Sequence, residues 1–481
     1  MNATGDWLAR PQIRWIVLGL SVFFFAVTNL PWTLDDYDQA KQAYTSFEMV
    51  GQGHWLYQHT PNESVATKPP LVGWVSAALY TVTRWWDGAW RLPSLGAAIL
   101  LLWFIGRDAT AAFGPTAGVI ALAAFGLNLL SPRLATLVRT DMPLALITFL
   151  IGRQIWLKIR RVEAWTRRDR VVAFLLLASA MLIKGPIVYA FILPGLIVYQ
   201  LLRRKHEMPS GWSGWWPWLL SFAVFLAWAI GGIVTQPGFY ESVVVREFAG
   251  RFTETIHKPQ PIYFYLPHLL HKFAPWGILI IALGVAFWRH SARLRMQPAT
   301  VWLVCWSVGG LALMSIIPSK RVDRIFPIVP PFCLLLSGQI ASAFLLENWS
   351  ARLRRWLIGA LIFAVVFTAG YAIWKVGSAA RERSAALVRF SNEVRRDAVQ
   401  NSWRYGVVGG REEGMLLYLR SAHFLSPDEA VEAWKRRQID ALVVRNEPSR
   451  PWLEMLPDGK LRHVSAKAKN LPQYSLFVRA R

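Results

Sequence analysis

Two cysteines in 481 residues, Cys305 and Cys333, leave no room for a disulfide framework, and both sit inside apolar runs as small buried hydrophobes. No Cys/His spacing of the kind that holds structural zinc is present either. The chain also lacks a G-x-G-x-x-G or P-loop signature; Gly409-Gly410 follows a strand-like run but reads as a plain turn. No internal repeat and no pair of matching interrupted helices marks the two halves, which argues against a flippase or exporter. Acidic residues are scarce, 29 against 53 Lys and Arg, for a formal charge of +24. That excess sits in short clusters between apolar runs rather than along one polar face, so lipid headgroups, and not nucleic acid, are its expected partners.

What is abundant is apolar. Hydrophobic residues make up 54%, aromatics 14% and charged residues only 17%, with a mean hydropathy of +0.31. These values lie outside the soluble range and imply an integral membrane protein. Runs long enough to span are read near 13–32, 91–106, 114–132, 142–158, 171–184, 186–202, 215–235, 274–288, 299–317, 325–346 and 356–375. The first, preceded by Arg10 and Arg14, is expected to be an uncleaved span with its start inside. Alternation from there puts Arg107, Arg153 to Arg170, Arg203 to Lys205, Arg289 to Arg295 and Arg352 to Arg355 on the inner side. About eleven spans result. To keep that register, Lys68-Pro69-Pro70 must open a helix lying along the outer interface, anchored by Trp74, Tyr80, Trp85 and Trp86. The expected domains are therefore a membrane domain over 1–377, with 33–90 as an outer loop, and a C-terminal domain over 378–481. In the latter, strands at 405–408 and 441–444 and helices at 380–399 and 427–437 predict a small α/β fold outside the membrane.

The stretch from Thr33 to Leu71 is polar, begins with acids, and far exceeds the usual connection of about 4–6 residues. Its aromatics argue against disorder. Asp35, Asp36 and Asp38 open it beyond the first span, and Asp141, in Arg139-Thr140-Asp141-Met142-Pro143, falls at another outer helix end. Such acids often only keep a helix end hydrated. Two that converge on one dry cavity gain basicity and suit proton abstraction from a hydroxyl. Outer cations break the positive-inside trend: Lys68, Lys184, Arg246, Arg251, Lys258, Lys320, Arg321 and Arg324. One alone would snorkel to the headgroups; several from separate loops would ring a phosphate. His257 is a lone outer histidine, more often a surface residue than a ligand, and His54 and His59 show no pairing by spacing.

Asp38-Gln39-Ala40, Glu48-Met49, Gly53-His54-Trp55, Lys68-Pro69-Pro70-Leu71, Arg91-Leu92-Pro93-Ser94, Arg139-Thr140-Asp141-Met142-Pro143, Lys184-Gly185-Pro186 and Ser319-Lys320-Arg321 occur in that order. The series resembles the lipid-linked-sugar glycosyltransferases of the GT-C fold, especially the aminoarabinose transferase and protein O-mannosyltransferase-like group, over roughly 13–375. The resemblance implies a transferase of the bacterial-type inner membrane with its site on the periplasmic side. It takes a sugar from a polyprenyl phosphate to a glycolipid such as lipid A, a cell-envelope polysaccharide or a protein. A ligase or polymerase of the same fold is the near alternative. The family's base falls on Asp38, with Asp35 and Asp36 as rivals in register, and its following Glu becomes Gln39. Its phosphate lysine is Lys68, aided by Lys184, Lys320, Arg321 and Arg324; Asp141 is a second catalytic candidate, and Glu48 and Arg251 are secondary ones. The family's metal-associated Glu is Thr67 here, which leaves a divalent metal open: His257 falls near the family's second metal-associated residue, and Glu63 or Glu247 would have to substitute for the missing Glu.

Overall fold

The computed structural model describes residues 7–34, 37–61, 65–206, 208–251, 259–289, 297–344, 350–382, 386–409, 413–446, 451–456, 458–465 and 473–480. Each of the eleven apolar runs contains a helix, the run at 114–132 breaking after Gly126. Among the described residues seven helices are long and apolar enough to cross a membrane: Leu92–Phe113, Asp141–Arg161, Ile187–Arg204, Trp216–Thr235, Pro298–Ile316, Val322–Phe344 and Ala351–Ala380. An eighth span forms if the pair Ile262–Lys272 and Trp276–Phe287, bent by 108°, is counted as one. Pro11–Val27, Leu71–Thr83 and Pro115–Gly126 are apolar but shorter.

The chain divides into two compact units. The first comprises Met1–Asn29, Thr67–Val72 and Leu92–Ile373. With little hydrophobic drive between helices in lipid, small residues decide where backbones meet. Gly195, on the helix Ile187–His206, faces Gly309 on Pro298–Ile316; a Cβ on Gly309 would lie 2.5 Å from the Gly195 nitrogen. Only glycine fits there. Nearby, Trp302 Nε1 donates to the Gly152 carbonyl at 3.1 Å, which ties in the helix Asp141–Arg161. That helix and the next, Arg167–Lys184, are joined by a short turn. A capping box, with Thr166 and Asp169 as its two partners, starts the second helix. Antiparallel helices of similar length return the chain to its starting level, so the end of the second lies beside the start of the first.

The second unit comprises Leu30–Ala66, Gly73–Arg91 and Trp374–Arg481. Its sheet has strands β1 (Tyr405–Val408), β2 (Ala441–Arg445), β3 (Gly459–Val464) and β4 (Tyr474–Arg479) in the order β1-β2-β4-β3. β1 and β2 run parallel; β4 is antiparallel to both neighbours. Val408, Leu442 and Val444 pack with Ala430 and Trp434 of the helix Pro427–Lys435, which starts on a Ser426/Glu429 capping box. The acidic stretch of the first loop is not a loose connector. It forms the helix Tyr37–Gln52, which packs on the helix Glu413–Leu419. The Leu34 amide donates to the Tyr418 hydroxyl at 2.5 Å, and the Tyr44 hydroxyl donates to the Ala422 carbonyl.

Candidate functional site

In the first unit the paired helices bring Asp141 and Lys184 together. Asp141 opens its helix, where the positive end of the dipole favours an anion; Lys184 closes the next, where the negative end favours a cation. Gly185 stops that helix with φ 75° and ψ −159°, a conformation open to glycine. Lys184 Nζ donates to Asp141 Oδ1 at 2.5 Å, and both side chains are nearly buried, 9% and 10% exposed. The charges of Arg139 and Arg321 also act on this carboxylate. Arg139 in turn donates to Asp323 Oδ2 at 3.1 Å, and Arg133 reaches both oxygens of Asp323 at 3.0 and 3.3 Å. Four cations thus gather about two carboxylates, an excess of positive charge. The backbone behind them is pinned by Ser94, whose hydroxyl donates to the Leu137 carbonyl at 2.7 Å, and by Asn29, whose amide donates to the Arg133 carbonyl at 2.8 Å.

The neighbouring cations are held differently. Lys320 is buried and donates to the Gln260 carbonyl at 2.8 Å, and burial pulls its ammonium below the usual lysine range. Arg324 donates to the Ser319 carbonyl at 2.8 Å. Lys68 is ion-paired with Glu247 of the π-helical segment Tyr240–Phe248, so Glu247 is engaged there. Thr67 supplies no carboxylate, and His257, Glu63, Asp35 and Asp36 lie outside the described residues, as do the Arg251 side chain and Lys258. The residues described around Lys68 therefore do not make up a metal-binding set.

In the second unit Asp38 occupies the first turn of the helix Tyr37–Gln52. The next residue, Gln39, accepts from Arg91 Nη1 at 3.1 Å, while Arg91 Nη2 donates to the Thr33 carbonyl at 3.2 Å. Buried Arg91 also lies 6.0 Å from the Trp32 ring centroid, so one guanidinium clamps both sides of the turn into this helix. At the far end of the helix Glu48 lies with His54 and His59.

Sequence reasoning singled out Asp141, Lys184 and Arg321, and these share one neighbourhood. It missed Arg133 and Asp323. The available signal was the isolated acid at 323 between Arg321 and Arg324, whose charge needs a partner once buried.

No family model matches the chain. Among curated relatives, the undecaprenyl phosphate-alpha-4-amino-4-deoxy-L-arabinose arabinosyl transferase of Shewanella sediminis is 25% identical over 356 residues, covering 72% of this chain and 63% of that protein. Transferase 1 of the same name from Sodalis glossinidius is 28% identical over 349 residues, 67% of this chain and 58% of that protein. The chain thus spans less than two thirds of the length of these relatives. Among solved structures, ArnT from Cupriavidus metallidurans bound to undecaprenyl phosphate superposes with a TM-score of 0.73 at 17% identity, over 96% of this chain and 97% of that one. The archaeal oligosaccharyltransferase AglB from Archaeoglobus fulgidus, in complex with an inhibitory peptide and a dolichol-phosphate, gives 0.51 at 12% identity, over 91% of this chain and 70% of that one. This chain is a multi-pass α-helical membrane protein of the GT-C fold, completed by a small C-terminal module with a mixed sheet.

Proposed function

We propose that the protein is a membrane glycosyltransferase that moves a sugar from a polyprenyl phosphate to an acceptor hydroxyl or phosphate on the outer face, in one inverting displacement. The observation that carries this reading is the cation-rich cluster of Arg133, Arg139, Lys184 and Arg321 around Asp141 and Asp323, at the ends of apolar helices. The shared fold with a protein solved in complex with undecaprenyl phosphate, and relatives named for a donor of that class, support it. On this reading residues 1–377 form the membrane domain and 378–481 an extracytoplasmic domain.

A polyprenyl phosphate leaves readily, so the reaction needs little acid. It needs its growing negative charge met as the bond from the anomeric carbon to the phosphate oxygen breaks. Lys68, Lys184, Lys320, Arg321 and Arg324 meet it, and in a water-poor setting such contacts act most strongly. At the other face the acceptor oxygen attacks the anomeric carbon, and where the acceptor is a hydroxyl it gives up its proton to a carboxylate. The family resemblance assigns this role to Asp38, and Asp141, paired with the Lys184 ammonium, holds Lys184 in position.

The test is Asp38→Asn in a membrane assay with a polyprenyl-phosphate sugar. Transfer should fall by at least about 100-fold, the usual minimum for a lost general base, with expression unchanged. Normal turnover would remove Asp38 from the reaction.

A further inference from the structure

The helix Tyr37–Gln52 carries Asp38 in its first turn and a second chemical grouping in its last. Glu48 is 5% exposed. Its Oε1 is hydrogen-bonded by His54 Nδ1, and its Oε2 lies 3.5 Å from the His59 amide. The two imidazole rings meet edge-on, centroids 4.2 Å apart. One candidate ligand atom from each of the three residues lies within 4.8 Å of the others. His59 Nδ1 is buried and accepts or donates no hydrogen bond among the described residues.

The backbone builds this grouping from rigid parts. Gly53, with φ 82°, ends the helix while its amide still bonds the Met49 carbonyl at 3.1 Å, and the reversal folds His54 back onto Glu48. His59 is fixed by an antiparallel bridge to Val65 and by the Ala66 amide donating to the Gln58 carbonyl at 2.7 Å. Behind it Gly73 admits Met49 and Gln58 so closely that a Cβ would lie 2.6 Å from the Met49 methyl. A carboxylate buried among imidazoles is costly unless a positive charge accompanies it. Two histidines and one glutamate form the donor set of an open-sided zinc centre.

We infer that Glu48, His54 and His59 bind one divalent transition-metal cation of the zinc class. Tetrahedral donors about 2.1 Å from such an ion sit roughly 3.4 Å apart, so relative shifts of at most about 1.4 Å close the set. The cation neutralises Glu48, gives His59 Nδ1 a partner and staples the last helical turn to the His59–Val65 bridge. These three residues are not those at the Thr67 and His257 positions to which the family resemblance points, and the inference does not depend on the transferase reading.

The experiment is equilibrium dialysis of the tag-free full chain in detergent against Zn²⁺, followed by elemental analysis and thermal unfolding. The unaltered chain should retain one equivalent and gain thermal stability with Zn²⁺. His54→Ala, at a half-exposed position that tolerates truncation, and His59→Gln should each weaken binding by about 100-fold and abolish the thermal gain. A wild-type chain that holds no stoichiometric Zn²⁺ overturns the inference. So does a His54→Ala/His59→Gln chain that elutes as wild type and keeps its zinc.

Discussion

Lys184 and Asp141 form a buried ion pair across two antiparallel helices, each charge at the helix end whose dipole favours it. Removing one member leaves the other uncompensated in a dry setting. Asp141→Asn should therefore lower stability by about 3 kcal/mol, while Asp141→Leu with Lys184→Met should recover most of that loss. Thermal unfolding in detergent reads both. A double variant as unstable as the single would show that the pair does not act as a unit.

Lys68 and Glu247 give a kinetic counterpart. With Lys68→Ala the donor phosphate loses a charge-assisted contact, and the donor KM should rise as kcat falls, together at least about 10-fold in kcat/KM. Glu247→Gln keeps the cation and should change kcat/KM by less than about 3-fold. Steady-state rates at varied donor concentration separate the two, and equal losses in both variants would make the pair structural.

A third test concerns the C-terminal module. Burial works to raise the Asp397 carboxyl, but hydrogen bonds from Arg462 Nε at 2.7 Å and His463 Nε2 at 3.1 Å outweigh it and hold the group below its usual value. A depressed carboxylate contributes stability that is full above its unfolded value and is lost as pH falls through the folded one. Arg462 and His463 are themselves partly exposed, so the effect is screened. Asp397→Asn should cost about 1 kcal/mol at neutral pH, and its gap to wild type should narrow once pH drops below 3.8. Unfolding midpoints across that range decide it; a gap independent of pH would assign the loss to packing.

Much of the architecture was legible because it depends on local periodicity. The eleven apolar runs each contain a helix, the helix after Lys68-Pro69-Pro70 begins at Leu71, and β1 and β2 fall where short buried runs placed them. β3 and β4 were missed: β3 is exposed along almost its whole length and shows no apolar alternation. The ion pairs are another matter. Arg133 and Asp323 are 190 positions apart, and nothing in either segment names the other until the helices between them have packed. Glu48, His54 and His59 share no helical or strand period; only the reversal at Gly53 and the 59–65 bridge make them neighbours.

One edge strand of the sheet, β3, carries the exposed Lys460 and breaks register between Leu461 and His463. Cationic side chains and a kink are how folded proteins deny a free edge to passing polypeptide. The same two features disfavour alignment of an extended peptide's amides along this edge.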